Sequence, residues 1–283
     1  MTLKLPTTDS YAITHQGNVR SHNEDACLDL PQRGVWVVAD GMGGHAQGDY
    51  ASQLIVQKVQ SLGEFDRPSD KIDALEQTLQ GVNTHLFTKS SSAPEPTIIG
   101  STVVALAAFD RFGVFTWAGD SRAYRLRDGT LAQVTRDHSE VQDLVDQGLV
   151  KAEEAELHPQ ANVVTRAVGG TSELYLDYRL TELAKGDRFL LCSDGLFKDV
   201  PETEIAELLG KGNAASCAQG LIDVVLGREC RDNVTVIIVD IEALPAATAA
   251  DEEPAEEDVP GEDSADEPSS DPDRTEPPST EVE

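Results

Sequence analysis

Short β-branched and apolar runs punctuate the chain at 10–15, 26–30, 34–40, 101–109, 112–118, 121–126, 187–193 and 233–240, and predict strands. Tight polar or glycine turns, such as "FDRFG" and "RDGT", join neighbouring runs and point to mostly antiparallel pairing. Two longer stretches carry a helical period instead. Between Gln47 and about Leu62 the apolar positions are Ala51, Leu54, Ile55, Val59 and Leu62. Between Ser69 and Phe87 they are Ile72, Leu75, Leu79, Val82 and Leu86, with Ser69 as the expected N-cap after Pro68. A second helix pair fits 203–209 and 214–226, and a short helix falls near 139–147. Strands in a block with helices in consecutive pairs predict an α+β fold, two packed sheets with helices outside.

Charge divides the chain in two. Sixteen of the 51 acidic residues, but only one of the 22 basic ones, lie beyond Ile241, together with half of the 14 prolines. A segment so acidic, rich in proline and poor in large apolar residues cannot offset its ordering entropy by burial, so 242–283 is expected to be a disordered tail. It serves solubility, docking or autoinhibition. The folded part is expected to span 1–241. It too is acidic, which argues against a nucleic-acid partner, since phosphates are repelled. Cys27, Cys192, Cys217 and Cys230 are scattered, no apolar leader is visible and no run is long enough to span a membrane. The expectation is a cytoplasmic protein with free thiols and no membrane contact.

The candidate chemistry lies in carboxylates at strand ends. "VVADGMGG" carries an apolar strand into Asp40 and then Gly41. A hard divalent cation takes carboxylate and carbonyl oxygens, and both are offered there; a plain Asp-Gly turn is the alternative. The construction recurs. "RFLLCSDGL" ends on Asp194, "CRDNVTVIIV" begins its strand after Asp232, "AGDSRAYRL" turns at Asp120, and "RSHNEDACLDL" starts with Glu24 and Asp25. Converging at one sheet edge, these groups would repel one another unless divalent ions neutralised them. Two ions sharing a carboxylate activate a water, which makes a protein nucleophile unnecessary. In keeping with that, the chain has no G-x-S-x-G elbow, no P-loop and no histidine-rich zinc pattern, and all-oxygen ligation favours Mg²⁺ or Mn²⁺. Arg20, four residues before Glu24, suits a phosphate dianion; an ion pair with Glu24 or Asp25 is the alternative.

Eight ordered motifs over about residues 8–241 resemble the metal-dependent serine/threonine protein phosphatases of type 2C, the PPM family, in its short bacterial form. They are "GNVRSHNEDA", "VVADGMGGHAQG", "GSTVVAL", "AGDSRAYRLRDG", "TRDHS", "HPQANVVTRAVGG", "GDRFLLCSDGL" and "RDNVTVIIV". The resemblance implies a four-layer α-β-β-α sandwich, with two mostly antiparallel sheets flanked by helix pairs and metals at one end. It implies that Asp40 bridges two Mn²⁺ or Mg²⁺ ions, that the Gly41 carbonyl binds one, and that Asp194 and Asp232 complete the protein ligands. Glu24 and Asp25 would hold metal-bound waters or ligate directly. Asp120 with Asp194 would form a weaker third site, Arg20 would take the substrate phosphate, and 140–168 would be a mobile flap. Met42 fills a position where many relatives carry histidine. His45 then either protonates the leaving alkoxide or only packs at a helix start. Ala161 replaces an arginine usual in the flap, and His158 either reaches substrate or pins the flap.

The implied activity is hydrolysis of phosphoserine and phosphothreonine in proteins. It would oppose a bacterial serine/threonine kinase and reset forkhead-associated partners. No interface stripe is left over after the core helices, so a monomer is expected. Two other readings stay open: a catalytically weak phosphoprotein-binding adaptor, and a hydrolase of small phosphate esters.

Overall fold

The computed structural model describes residues 3–44, 46–93 and 97–246. Eleven strands run β1 (Thr7–His15), β2 (Asp25–Leu30), β3 (Val35–Met42), β4 (Gly100–Ser101), β5 (Val103–Phe109), β6 (Phe112–Ala118), β7 (Arg122–Arg127), β8 (Thr130–Gln133), β9 (Asp177–Glu182), β10 (Arg188–Cys192) and β11 (Val234–Ala243). The α-helices are α1 (Ala46–Gln60), α2 (Pro68–Ser91), α3 (Glu140–Asp146), α4 (Asp194–Phe197), α5 (Glu202–Leu209) and α6 (Ala214–Leu226).

The strands form two sheets in the orders β1-β11-β10-β7-β8 and β2-β3-β5-β6-β9, with β4 beside β3, and every pairing is antiparallel. Three apolar cores separate four layers. Side chains alternate across each central strand. Val35, Val37 and Ala39 of β3 face α1 and α2, while Trp36 and Val38 face the other sheet. Val236 and Ile238 of β11 face α4, α5 and α6, while Ile237, Val239 and Ile241 face inward. Both faces of such strands are covered, which is why their sequences are continuously apolar rather than alternating. The expected four-layer sandwich is therefore present.

Details differ from the expectations. Helix α2 begins at Pro68, with Arg67 rather than Ser69 at the N-cap and no side-chain cap. Proline at the first helical position has no N–H to leave unsatisfied. Arg67 instead pairs with Asp70 across the first turn. On the buried stripe of α2, Lys71 rather than Ile72 is the fully buried residue. Its ammonium donates to the carbonyls of Arg33, Gly34 and Ala108 at 2.7, 3.0 and 2.9 Å, binding α2 to the ends of β3 and β5. Strands β8 and β9 were not predicted. Both lie at sheet edges, where one-sided burial leaves little apolar pattern. The last strand passes residue 241 to Ala243, and Leu244 packs on the inter-sheet core. Most of the expected tail, 247–283, lies outside the described residues. No helix among the described residues is long and apolar enough to cross a membrane.

Lys71→Met removes three charge-assisted bonds and leaves their carbonyls short of a donor. It is expected to destabilise the fold by about 1–3 kcal/mol. The measurement is the urea midpoint at unchanged slope, against Lys58→Met on the exposed face of α1 as the control.

Candidate active site

The start of β2, the ends of β3, β6 and β10, and the start of β11 meet at one edge of the sandwich. There they border a cleft of about 580 Å³ lined by Arg20, Glu24, Asp40, Gly41, Asp120, Asp194 and Asp232. Asp25 lies beneath it, 3% exposed, directly opposite Asp40 in the β2–β3 register. Like charges in that cross-strand position destabilise a sheet unless something compensates.

The surroundings hold the cluster in place. Asp40 donates its main-chain N–H to Thr102 Oγ1, and its carbonyl accepts from the Thr102 N–H and Ser101 Oγ. Asp25 Oδ2 accepts from Ser193 Oγ at 2.8 Å and Thr235 Oγ1 at 2.7 Å, while Asp25 Oδ1 is buried with no partner. Ser193 Oγ also accepts from the Thr235 N–H, which locks β10 to β11 at the carboxylate. Asp194 does not continue β10 but opens the one-turn helix α4. Its Oδ2 pairs with Lys198, and its Oδ1 is buried without a partner. Asp120 sits 5% exposed in the turn between β6 and β7. Asn233 fastens the loop that carries Arg20. It donates to the Gln16 and His22 carbonyls and accepts from the Glu24 N–H. Arg20 donates to Asp232 at 2.9 Å, with its side chain half exposed to the cleft. The ion-pair alternative for Arg20 is thus realised, but with Asp232 rather than Glu24 or Asp25.

The titration behaviour follows from this crowding. Burial, followed by repulsion from Asp25, Asp194, Asp120 and Asp232, holds Asp40 well above the ordinary carboxylate range. Burial pushes Asp25 up to about 7, against the hydrogen bonds from Thr235 and Ser193. Burial and Asp194 push Asp120 up to about 7, and Lys198 opposes them.

Gly41 and Gly43 answer to packing rather than to open access for a ligand. A Cβ on Gly41 would run into the Gly48 and Glu24 carbonyls, and Gly43 has φ +127° with the Ile98 carbonyl where its Cβ would stand. Backbone comes too close for a side chain at both points, from the first turn of α1 and the Glu24 carbonyl at Gly41 and from the segment before β4 at Gly43.

The flap region packs back on the sandwich at two places. Arg122 grips Asp137 with Nε and Nη2, and Nη2 also donates to Glu156 of the 3-10 turn Ala152–Leu157 at 3.0 Å. Arg166 donates to Asp177, which also meets buried His138. Asn162, Val163 and Val164 reach the cleft. His158 does not line it. Its Nδ1 accepts from the Gln160 N–H two residues on, a contact within the flap itself. Ala161 likewise makes only a local turn bond, to the His158 carbonyl. His45 lies outside the described residues.

As the side chains stand, no three His, Cys, Asp or Glu groups among the described residues are gathered tightly enough to hold an ion. Asp232 is turned onto Arg20 and Asp194 onto Lys198. The donor set nevertheless fits divalent cations. It is all oxygen, it concentrates negative charge, and it keeps two buried carboxylate oxygens without a partner. Sequence reasoning gave no role to Ser101, Thr102, Ser193, Lys198, Asn233 or Thr235. Ser193, Asn233 and Thr235 lie inside the motifs that supply Asp194 and Asp232, and Lys198 follows one of them by two residues, so adjacency was the available signal; Ser101 and Thr102 lie in "GSTVVAL", which carries no carboxylate.

The Protein phosphatase 2C family model matches residues 14–218. The chain belongs to this family, the type 2C serine/threonine protein phosphatases. It is 38% identical over 231 residues to the serine/threonine protein phosphatase PstP of Mycobacterium tuberculosis, covering 81% of this chain and 44% of that protein. It thus spans less than half the length of that relative. Against the serine/threonine phosphatase stp of Listeria monocytogenes it is 34% identical over 235 residues, covering 80% of this chain and 93% of that one. The PstP catalytic domain in complex with two manganese ions superposes with a TM-score of 0.76 at 34% identity, covering 83% of this chain and 98% of the other.

The raised carboxylates set a pH dependence. Asp25 and Asp120 titrate near 7 when folded and near 3.8 when unfolded, so the folded state binds more protons between those values. In chelator, stability is greatest below about pH 4 for these groups and is lost as pH rises through about 7. Thermal melts in EDTA from pH 5 to 8 are expected to show a falling Tm. The fall should be shallower in Asp25→Asn and reduced by added Mn²⁺. A Tm that rises with pH in EDTA would contradict the assignment.

Proposed function

We propose that this chain hydrolyses phosphoserine and phosphothreonine esters in proteins, with two divalent ions, Mn²⁺ or Mg²⁺, held by Asp40, the Gly41 carbonyl, Asp194 and Asp232. The observation that carries this reading is the meeting of Asp40, Asp120, Asp194 and Asp232 in one cleft, with Asp25 beneath and two buried carboxylate oxygens left without partners. The manganese-bound PstP catalytic domain supports it. When bound, the ions supply Lewis acidity and an activated water.

The residues of the chain do the rest. Arg20 reaches the cleft from a loop fixed by Asn233, and its guanidinium offers paired donors to phosphoryl oxygens. Asp232 already orients that guanidinium, so little freedom is lost when phosphate arrives. Asp25, clamped by Ser193 and Thr235, keeps a carboxylate oxygen beneath Asp40. Asn162, Val163 and Val164 wall one side of the cleft against water. Opposition to a serine/threonine kinase and forkhead-associated partners belong to the same proposal and rest on the family resemblance; a cytoplasmic location and a monomeric state complete it.

Purified protein is expected to release phosphate from a phosphothreonine peptide with Mn²⁺ or Mg²⁺ and not with EDTA. Asp40→Asn and Asp194→Asn should each lower turnover by at least about a hundredfold while keeping the fold. Undiminished release in EDTA or in Asp40→Asn would overturn the two-ion reading. Turnover on small phosphate esters far above that on phosphopeptides would favour a metabolite hydrolase. Tight phosphopeptide binding without release would favour an adaptor.

A further inference from the structure

Lys198 is a cation at the carboxylate cluster that the proposed reaction does not use. It follows Asp194 by four residues, a spacing that brings its ammonium back over the start of α4. There it pairs with Asp194 Oδ2. The side chain is three-quarters buried and borders the cleft. Its neighbour Phe197 lies under the Arg122 guanidinium, 3.7 Å from the ring centroid, so the short helix that aims Lys198 is pinned from the other side. The two oxygens of Asp194 thus have different fates. Oδ2 is covered by the ammonium, and Oδ1 is buried and unpartnered. Asp120, on the adjoining turn, is the second carboxylate that Lys198 attracts.

We propose that Lys198 is a tethered monovalent cation that takes the place of a third divalent ion between Asp120 and Asp194, so that this cleft holds two ions. The inference rests on the two-ion reading above and concerns only how many ions accompany it. A third ion held between Asp120 and Asp194 would compete for the Asp194 oxygen that the ammonium covers, and would have to displace a positive charge fixed at high local concentration by its own backbone. Asp194 Oδ1, without a partner, is left uncovered by Lys198 and would remain for ions held through Asp40 and Asp232.

The test is a count of bound Mn²⁺, by electron paramagnetic resonance and by calorimetry, on full-length protein checked for folding by its thermal melt. Wild type is expected to bind two Mn²⁺, and Asp120→Asn also two. Lys198→Met keeps the apolar stem and removes the charge. It is expected to gain a third Mn²⁺ bound at least about tenfold more tightly than any third ion on wild type. The double variant Lys198→Met/Asp120→Asn should lose that gain. Three Mn²⁺ on wild type, falling to two in Asp120→Asn, would overturn the inference and leave the two-ion reading standing, and this comparison needs no substitution at Lys198. Two ions on folded Lys198→Met would overturn it equally. No Mn²⁺ on wild type would overturn the two-ion reading and this inference with it.

Discussion

Asp25 and Asp40 face each other across β2 and β3. Unit charges about 5 Å apart in surroundings of effective dielectric about 20 repel by about 3 kcal/mol. Asp120, Asp194 and Asp232 add to the same field. No sheet would gather these groups for stability alone, and the local structure is arranged around holding them. Ser193 and Thr235 clamp Asp25, Ser101 and Thr102 fix the backbone of Asp40, and Asn233 ties the Arg20 loop to the start of β11. The clamps come from the end of β10, the start of β11 and the junction of β4 with β5, which belong to different sheets. The cluster therefore exists only when both sheets are assembled.

The same constraint explains where the cations are. The chain is strongly acidic, yet Arg20 and Lys198 both stand at the cleft, each on one carboxylate. For Lys198, burial opposes the charge and Asp194 outweighs it, so the ammonium is held more firmly than an ordinary lysine. Arg20 is the more exposed of the two and keeps donors toward the cleft. One cation is thus placed to meet an incoming anion, and the other to stay on its carboxylate.

Much of this was legible in the sequence because strand ends are written in it. Apolar runs buried on both faces are unmistakable in "VWVVA" and "VTVIIV", and each delivers or follows an aspartate. Edge strands β8 and β9 were not legible, since half of each faces solvent. Lys71 was missed for a related reason. Its place on the buried stripe of α2 is stabilised by three carbonyls from residues 33, 34 and 108, and no local pattern records such partners. Ser193 and Asn233 adjoin motif aspartates and Thr235 lies close to one, but Ser101 and Thr102 do not, and the bonds these residues make cross 19 to more than 200 residues of chain.

Glycines 41 and 43 show how one sequence feature serves two ends. Read alone, a nearly side-chain-free turn after Asp40 suggests room for a ligand. Its geometry shows backbone packed against backbone, with Gly41 against the Gly48 and Glu24 carbonyls and Gly43 against that of Ile98. Yet that packing is what brings the first turn of α1 and the loop before β2 up to the end of β3. The Ser52 hydroxyl of α1 donates to the same Glu24 carbonyl that accepts from Gly41. The wall that carries Glu24 is thereby fixed beside Asp40. The glycines shape the cleft by removing the side chains that would hold its walls apart.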